Sequence, residues 1–331
     1  TLFRSSDADG PYGVIVRPRP TDDVVQVVDL RHLDPEAALS EAMASMDQAM
    51  ETPRDLQGDD LFGAVLFQIT DTRSLLFQRV HHLLLDGYSA VIALRYMAEV
   101  YTRLSQPAPS SRGLDVAAEP RAHLAARQPS VLPGLDDLHR DIAEYEASAQ
   151  RDADEAYWRG ALDDDATVAG LEGTARSAAR SIVRVAVPLD DARAARLTAL
   201  GRDLPKTVVA IVALYMAKIT GEERVALGLP VTARRGRVAK STPSMLSNIL
   251  PLRIDVPANA EISDVIAHAG DVVRSAVGHQ RFRVESLAGA PRHAGPSVNL
   301  LPVIDEIRFG DAVGAVNILS TGPVHDLSIV L

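Results

Sequence analysis

His81-His82-Leu83-Leu84-Leu85-Asp86-Gly87 sits between a β-prone segment and a helical one, and this setting restricts the fold more than any other feature. Leu75 to Val80 is short and apolar, as a buried strand would be. Val91, Leu94, Ala98 and Tyr101 recur at helical spacing, with Met97 and Leu104 beside them, and Ser89 is placed to cap that helix. A strand-to-helix turn is therefore expected, carrying two histidines, an aspartate and a glycine. Successive strand side chains face opposite ways, so His81 and His82 cannot both enter one cavity. One faces a site while the other is buried or braced. Asp86-Gly87 supplies a tight reversal, because glycine lets backbone approach a ligand closely.

The 331 residues suffice for about two domains, and 47% apolar content supports two cores. The net charge of −10, with no long basic run, disfavours nucleic-acid binding. Zero cysteines remove disulfides, thiolate metal sites and a cysteine nucleophile, which suits a cytoplasmic location. No apolar run reaches membrane-spanning length and no signal peptide is visible, so no membrane partner is expected. Walker A, GxGxxG, GxSxG and HExxH patterns are absent, and no metal site is expected.

Strands are expected at Gly13–Arg17, Phe62–Thr70 and Ser74–His82, and helices at Asp34–Met50, Ser89–Leu104 and Leu138–Ala161. Ser105–Ser130 reads as a long loop and Gly170–Ser181 as the best linker. Beyond it come a strand at Ile182–Val187, a helix at Asp190–Gly201, a largely buried helix at Lys206–Thr220 and a strand at Arg224–Pro230. The loosely repeated order suits two similar αβ lobes, residues 1–172 and 173–331.

The motif HHxxxDG with Tyr88-Ser89 after it resembles the active-site signature of nonribosomal peptide synthetase condensation domains, within the chloramphenicol acetyltransferase-like superfamily. Collinear segments agree. Pro53-Arg54-Asp55-Leu56 with Leu61-Phe62 is similar to the family's PFDL…PLF segment, and Tyr145 to Tyr157-Trp158 to its helix ending in YW. Gly228-Leu229-Pro230-Val231-Thr232-Ala233-Arg234 resembles G-x-P-V-x-G-R, and Met245-Leu246-Ser247-Asn248-Ile249-Leu250-Pro251-Leu252-Arg253 the VN-x-LPLR element. His279-Gln280-Arg281-Phe282 resembles HQ-x-Y/F, and Gly295 to Asn299 and Gly322 to Leu327 resemble late strands near the lobe interface. The family's opening helix and its final strands and helices have no counterpart, so an interior portion of such a domain is expected.

The resemblance implies an α/β fold of two chloramphenicol acetyltransferase-like lobes in a V-shaped pseudo-dimer with a substrate channel between them. It implies amide-bond formation between two carrier-tethered thioesters. No cofactor of the domain's own is implied; the substrates arrive on phosphopantetheine arms. Donor and acceptor peptidyl carrier proteins and an adjacent adenylation domain are the implied partners. His82 is the candidate for the chemistry, as a general base or as the group holding the amine by a hydrogen bond. His81 is expected to brace the turn. Asp86, following three leucines, needs a partner, and the resemblance offers Arg234 as a salt bridge between lobes. Gly87 is a candidate backbone donor to the oxyanion. Ser247, Asn248, Ser297 and Asn299 are candidate substrate-channel residues.

Other classes share parts of this pattern. A free-standing acyltransferase using coenzyme A lacks its plant-type DFGWG element here. A non-catalytic recruiting domain normally has a damaged motif, and this one is intact. Cyclisation relatives carry aspartates in place of the histidines, and epimerisation relatives a Glu-Gly-His-Gly stretch, neither of which occurs.

Overall fold

A computed structural model describes residues 2–7, 10–14, 25–56, 61–105, 132–162, 171, 183–200, 203–287, 295–301, 306–320, 322, 324 and 326–331. The chain divides into two units, residues 1–86 and 87–331.

The first unit contains β1 (Leu2–Asp7), β2 (Gly10–Val14), β3 (Val25–Asp29), α1 (Pro35–Glu51), β4 (Phe62–Thr70) and β5 (Arg73–Val80). β1 and β2 pair as an antiparallel hairpin, and β3-β4-β5 form a three-stranded sheet. β3 runs parallel to β4 with α1 as the crossover, and β5 returns antiparallel from Phe62↔Val80 to Thr70↔Arg73. α1 begins where Asp34 accepts from the Glu36 and Ala37 amides with Pro35 at the first position, a strong start signal. It buries Ala38, Ala42 and Met46, spaced by four, in the core with Leu30, Phe67, Ile69 and Phe77. Of the strand expected at Gly13–Arg17, Gly13 and Val14 end β2, and residues 15–17 lie outside the described residues.

The second unit contains α2 (Gly87–Ser105), α3 (Leu135–Glu146), α4 (Ala149–Ala161), α5 (Asp191–Ala199), α6 (Leu204–Thr220), β6 (Arg224–Val231), α7 (Gly236–Ser241), β7 (Asn248–Asp255), α8 (Ile262–Gly278), β8 (Ser297–Asn299), β9 (Ile307–Phe309), β10 (Ala312–Gly314) and β11 (Ser328–Val330). Its main sheet has the order β11-β8-β6-β7. β6 and β7 pair antiparallel over eight positions, and β8 runs parallel to both β6 and β11. α6 and α8 contribute Val209, Val212, Met216, Val265 and Ala269 to the core with Leu227, Leu250, Leu252 and Ile254 of the sheet. Gly221, at φ 76°, closes α6 in the left-handed conformation. α6 is less enclosed than its composition suggests, since Ile211, Tyr215 and Ile219 form an exposed stripe.

Two expected elements change in this unit. The helix expected over Leu138–Ala161 is two helices. The Ser148 hydroxyl accepts from the Arg151 amide (3.3 Å) and donates to the Tyr145 carbonyl (2.7 Å), ending one helix and starting the next. The strand expected at Ile182–Val187 is not formed over residues 183–187, which join no sheet, with Val183, Val185 and Val187 at 91, 78 and 73% exposure. Alternation there marks strand-compatible residues, and pairing needs a neighbour that the described residues do not supply. The lobe boundary expected at 172/173 and residues 106–130 of the expected loop lie outside the described residues. Among the described residues, no helix is long and apolar enough to cross a membrane.

Candidate active site

β4 and β5 deliver the histidine motif. The ladder between them continues one step past Val80, where the His81 amide donates to the Leu61 carbonyl at 2.7 Å. The His81 carbonyl then accepts from the Leu84 amide (2.9 Å), and its Nδ1 accepts from the Leu83 amide (3.1 Å). His81 is thus tied by backbone and ring to the turn it begins. An accepting Nδ1 places the proton of the neutral ring on Nε2. His82, the next residue, is exposed. Asp86 is 2% exposed and directly precedes the first helical residue, a position where helix amides favour a carboxylate.

Ser89 does not cap α2. The helix starts at Gly87, so Ser89 lies in the first turn, and its hydroxyl makes tertiary bonds instead. It donates to the Ser244 carbonyl (2.7 Å) and accepts from the Ser244 amide (2.9 Å) and from Arg234 Nη2 (2.6 Å). Arg234 is 4% exposed and also donates to the carbonyls of Ala239, Thr242 (3.1 Å) and Ser244 (2.8 Å). Its guanidinium lies 5.0 Å from the Tyr88 ring centre. Arg234 follows Ala233, which adopts φ 51°, a left-handed conformation unfavourable for a residue with a Cβ. The corresponding position in the resembling G-x-P-V-x-G-R pattern is glycine. Ala233→Gly is accordingly expected to raise stability, by less than about 1 kcal/mol because glycine also adds unfolded-state entropy. A fall in Tm would refute the strain argument.

Asn248 is a strut. It is buried, its Nδ2 donates to the carbonyls of Gln280 (3.0 Å) and Phe282 (2.8 Å), and its Oδ1 accepts from the Ile249 amide (3.0 Å). Both amide protons are used, which leaves it no donor for a channel ligand. Asn248→Ala strands two carbonyls and is expected to cost roughly 2–3 kcal/mol in a urea titration. Ser247 accepts at its carbonyl from Arg283 Nη1 (2.6 Å), and its hydroxyl meets Met245 Sδ at 3.3 Å. Ser297 and Asn299 lie half-buried on β8; the Ser297 hydroxyl bonds to that of Ser328 (2.9 Å).

The stretch 278–283 joins several segments, and the sequence reading undervalued it. The Gly278 carbonyl accepts from Arg235 (2.8 Å), the His279 carbonyl from Trp158 Nε1 (3.0 Å), and Gln280 Oε1 from the Ala233 amide (3.1 Å). Arg281 pairs with Asp141 (3.0 Å), and Arg283 donates to the Leu246 carbonyl (2.8 Å). Buried Asp154 gathers the Tyr145 hydroxyl (2.8 Å), Gln150 Nε2 (2.6 Å) and His279 Nδ1 (2.8 Å). Burial raises the Tyr145 hydroxyl above the ordinary tyrosine range, and its bond to Asp154 adds to this. Asp154 could have been found in the sequence, since it shares the buried face of α4 with Trp158 four residues on. No group of three or more His, Cys, Asp or Glu side chains among the described residues could hold a metal ion.

A family model of the condensation domain matches residues 3–114 and 124–305. The chain belongs to the condensation domain family. Its α/β fold is the chloramphenicol acetyltransferase-like fold of the condensation domains of nonribosomal peptide synthetases, a family of amide-forming acyltransferases. This condensation domain is 34% identical over 307 residues to isonitrile lipopeptide synthase of Streptomyces coeruleorubidus, covering 89% of the chain but 20% of that protein. The chain thus spans about a fifth of that relative's length. Solved structures agree. The first condensation domain of the calcium-dependent antibiotic synthetase, in complex with a substrate analogue, matches with a TM-score of 0.78 at 31% identity, covering 99% of this chain and 74% of that one. The starter condensation domain of rhizomide synthetase, in complex with C8-CoA, matches with a TM-score of 0.81 at 28% identity, covering 99% and 72%.

Proposed function

We propose that this domain joins a carrier-bound acyl or peptidyl thioester to the amine of a carrier-bound aminoacyl thioester, within a larger synthetase. The amine nitrogen attacks the thioester carbonyl, the carbon–sulfur bond breaks, and the departing phosphopantetheine sulfur takes up the proton the amine loses. The observation that carries this reading is the unequal state of the two histidines. His81 is consumed by its own turn, and His82 is exposed and available to a substrate.

In this reading His82 holds the amine and passes its proton on to the departing sulfur, and the Gly87 amide faces the developing oxyanion. Asp86 pairs with Arg234, which the burial of both supports, since a buried carboxylate and a buried guanidinium each need a counter-charge. Ser247, Ser297 and Asn299 contribute polar groups along the substrate path. The reading keeps two lobes, divided at 172/173, with the substrates meeting between them. Donor and acceptor carrier proteins and a neighbouring adenylation domain are its partners, and the cytoplasm its location.

A second reading of the donor is supported by the likeness to the starter domain solved with C8-CoA: an acyl-coenzyme A could take the place of the first carrier. Both donors test the proposal. The full-length protein is incubated with an aminoacyl-loaded acceptor carrier and either an acyl-loaded donor carrier or octanoyl-CoA. Intact-protein mass spectrometry then follows the mass of the acceptor. An acylated acceptor from the carrier donor supports the first reading, and one from octanoyl-CoA alone supports the second. Neither product, with both carriers correctly loaded, refutes amide formation.

A further inference from the structure

We infer that Ser89 and Tyr88 are positioning residues of the amide-forming step, clasping the start of α2 to the 239–244 segment through Arg234. The inference rests on the reading of this chain as a condensation domain that acts through His82. Ser89 is 0% exposed, and its single hydroxyl makes three bonds, one given and two received, which is its full capacity. All three go to Arg234 and Ser244, 145 and 155 residues further along the chain. A first-turn serine ordinarily serves its own helix. This one serves a tertiary contact instead.

Tyr88 adds a second attachment. Its hydroxyl donates to the Lys240 carbonyl at 3.1 Å, and its ring lies under the Arg234 guanidinium. Arg234 in turn gathers the carbonyls of Ala239, Thr242 and Ser244, so one cation shapes the loop and grips the helix. The left-handed Ala233 aims the chain into this arrangement, and strain of that kind accumulates where geometry matters to function. The clasped residues are the second and third after Asp86, so they fix the path by which the chain leaves the histidine turn. A clasp here restricts where the Gly87 amide can lie. Simple packing glue would not require a polar knot of this density at this place.

The test compares kcat with KM for the loaded carriers in the full-length protein, alongside amide hydrogen exchange. Ser89→Ala is expected to lower kcat roughly tenfold with KM unchanged, and to speed exchange at 239–244. Tyr88→Phe keeps the ring under Arg234 and removes one partly exposed bond, so a roughly two- to threefold loss of kcat is expected without effect on folding. Unchanged kcat in both variants, whatever the exchange rates, overturns the inference. So does a raised KM with intact kcat, which would assign the clasp to carrier docking. If Ser89→Ala does not fold, Tyr88→Phe decides alone, and full kcat there overturns the inference. A wild-type protein that makes no amide overturns the functional reading and this inference together. An active wild type with unaffected variants overturns the inference only.

Discussion

Replacing His82 by alanine is expected to reduce amide formation by roughly 10²- to 10⁴-fold, the range typical of a positioned acid–base group. Stability and carrier binding are expected to be unchanged, because His82 is exposed at the tip of a turn held by other groups. The measurement is single-turnover condensation, with carrier affinity determined separately. His81→Ala is the informative contrast. It removes the acceptor of the Leu83 amide, so it is expected to lower both Tm and rate. Near-wild-type turnover in His82→Ala would take the imidazole out of the mechanism and leave substrate orientation as the main source of rate.

The second large effect falls on Asp86 and Arg234. If the two pair as proposed, deleting one partner of a buried ion pair costs roughly 3–5 kcal/mol, a large share of the 5–15 kcal/mol that holds a typical domain together. Asp86→Ala is therefore expected to lose soluble expression or Tm together with activity, unlike His82→Ala. Arg234→Ala is expected to be the harsher of the two, since it also abandons the Ser89 hydroxyl and three backbone carbonyls. The double variant is expected to be less damaged than the two single losses combined. An Asp86→Ala protein that is fully stable yet inactive would move Asp86 from the scaffold into the chemistry. Additive losses in the double variant would separate the two residues.

Some of this was legible in the residues because one period dominated locally. β4, β5 and α2 carry clean strand and helix spacings, and they appear within two residues of where those spacings place them. Where a signal had two physical causes, the reading failed. The apolar period of residues 138–161 runs on through Ser148, and only side-chain-to-backbone bonds reveal the break. Alternating valines at 183–187 suit a strand, and whether another strand pairs with them is decided elsewhere. Ser89 before an apolar helical run has the same sequence signature whether its hydroxyl caps that helix or reaches across to Ser244. Asn248 is instead a case the residues leave open, since beside a strand it looks equally like a ligand-binding amide and a strut. Its two carbonyl partners come from 280 and 282, which no local pattern connects to it.

The stretch 278–283 has a consequence for recombining such domains. Its bonds reach Asp141, Asp154 and Trp158 upstream, Ala233 and Arg235 after β6, and Leu246 to Asn248 at the start of β7. A chimera with a crossover anywhere between 160 and 278 would take these partners from two parents. Several buried donors and acceptors would then have to match by chance. Splices that keep 141–283 in one parental block preserve the whole set, so that block is the natural unit of exchange.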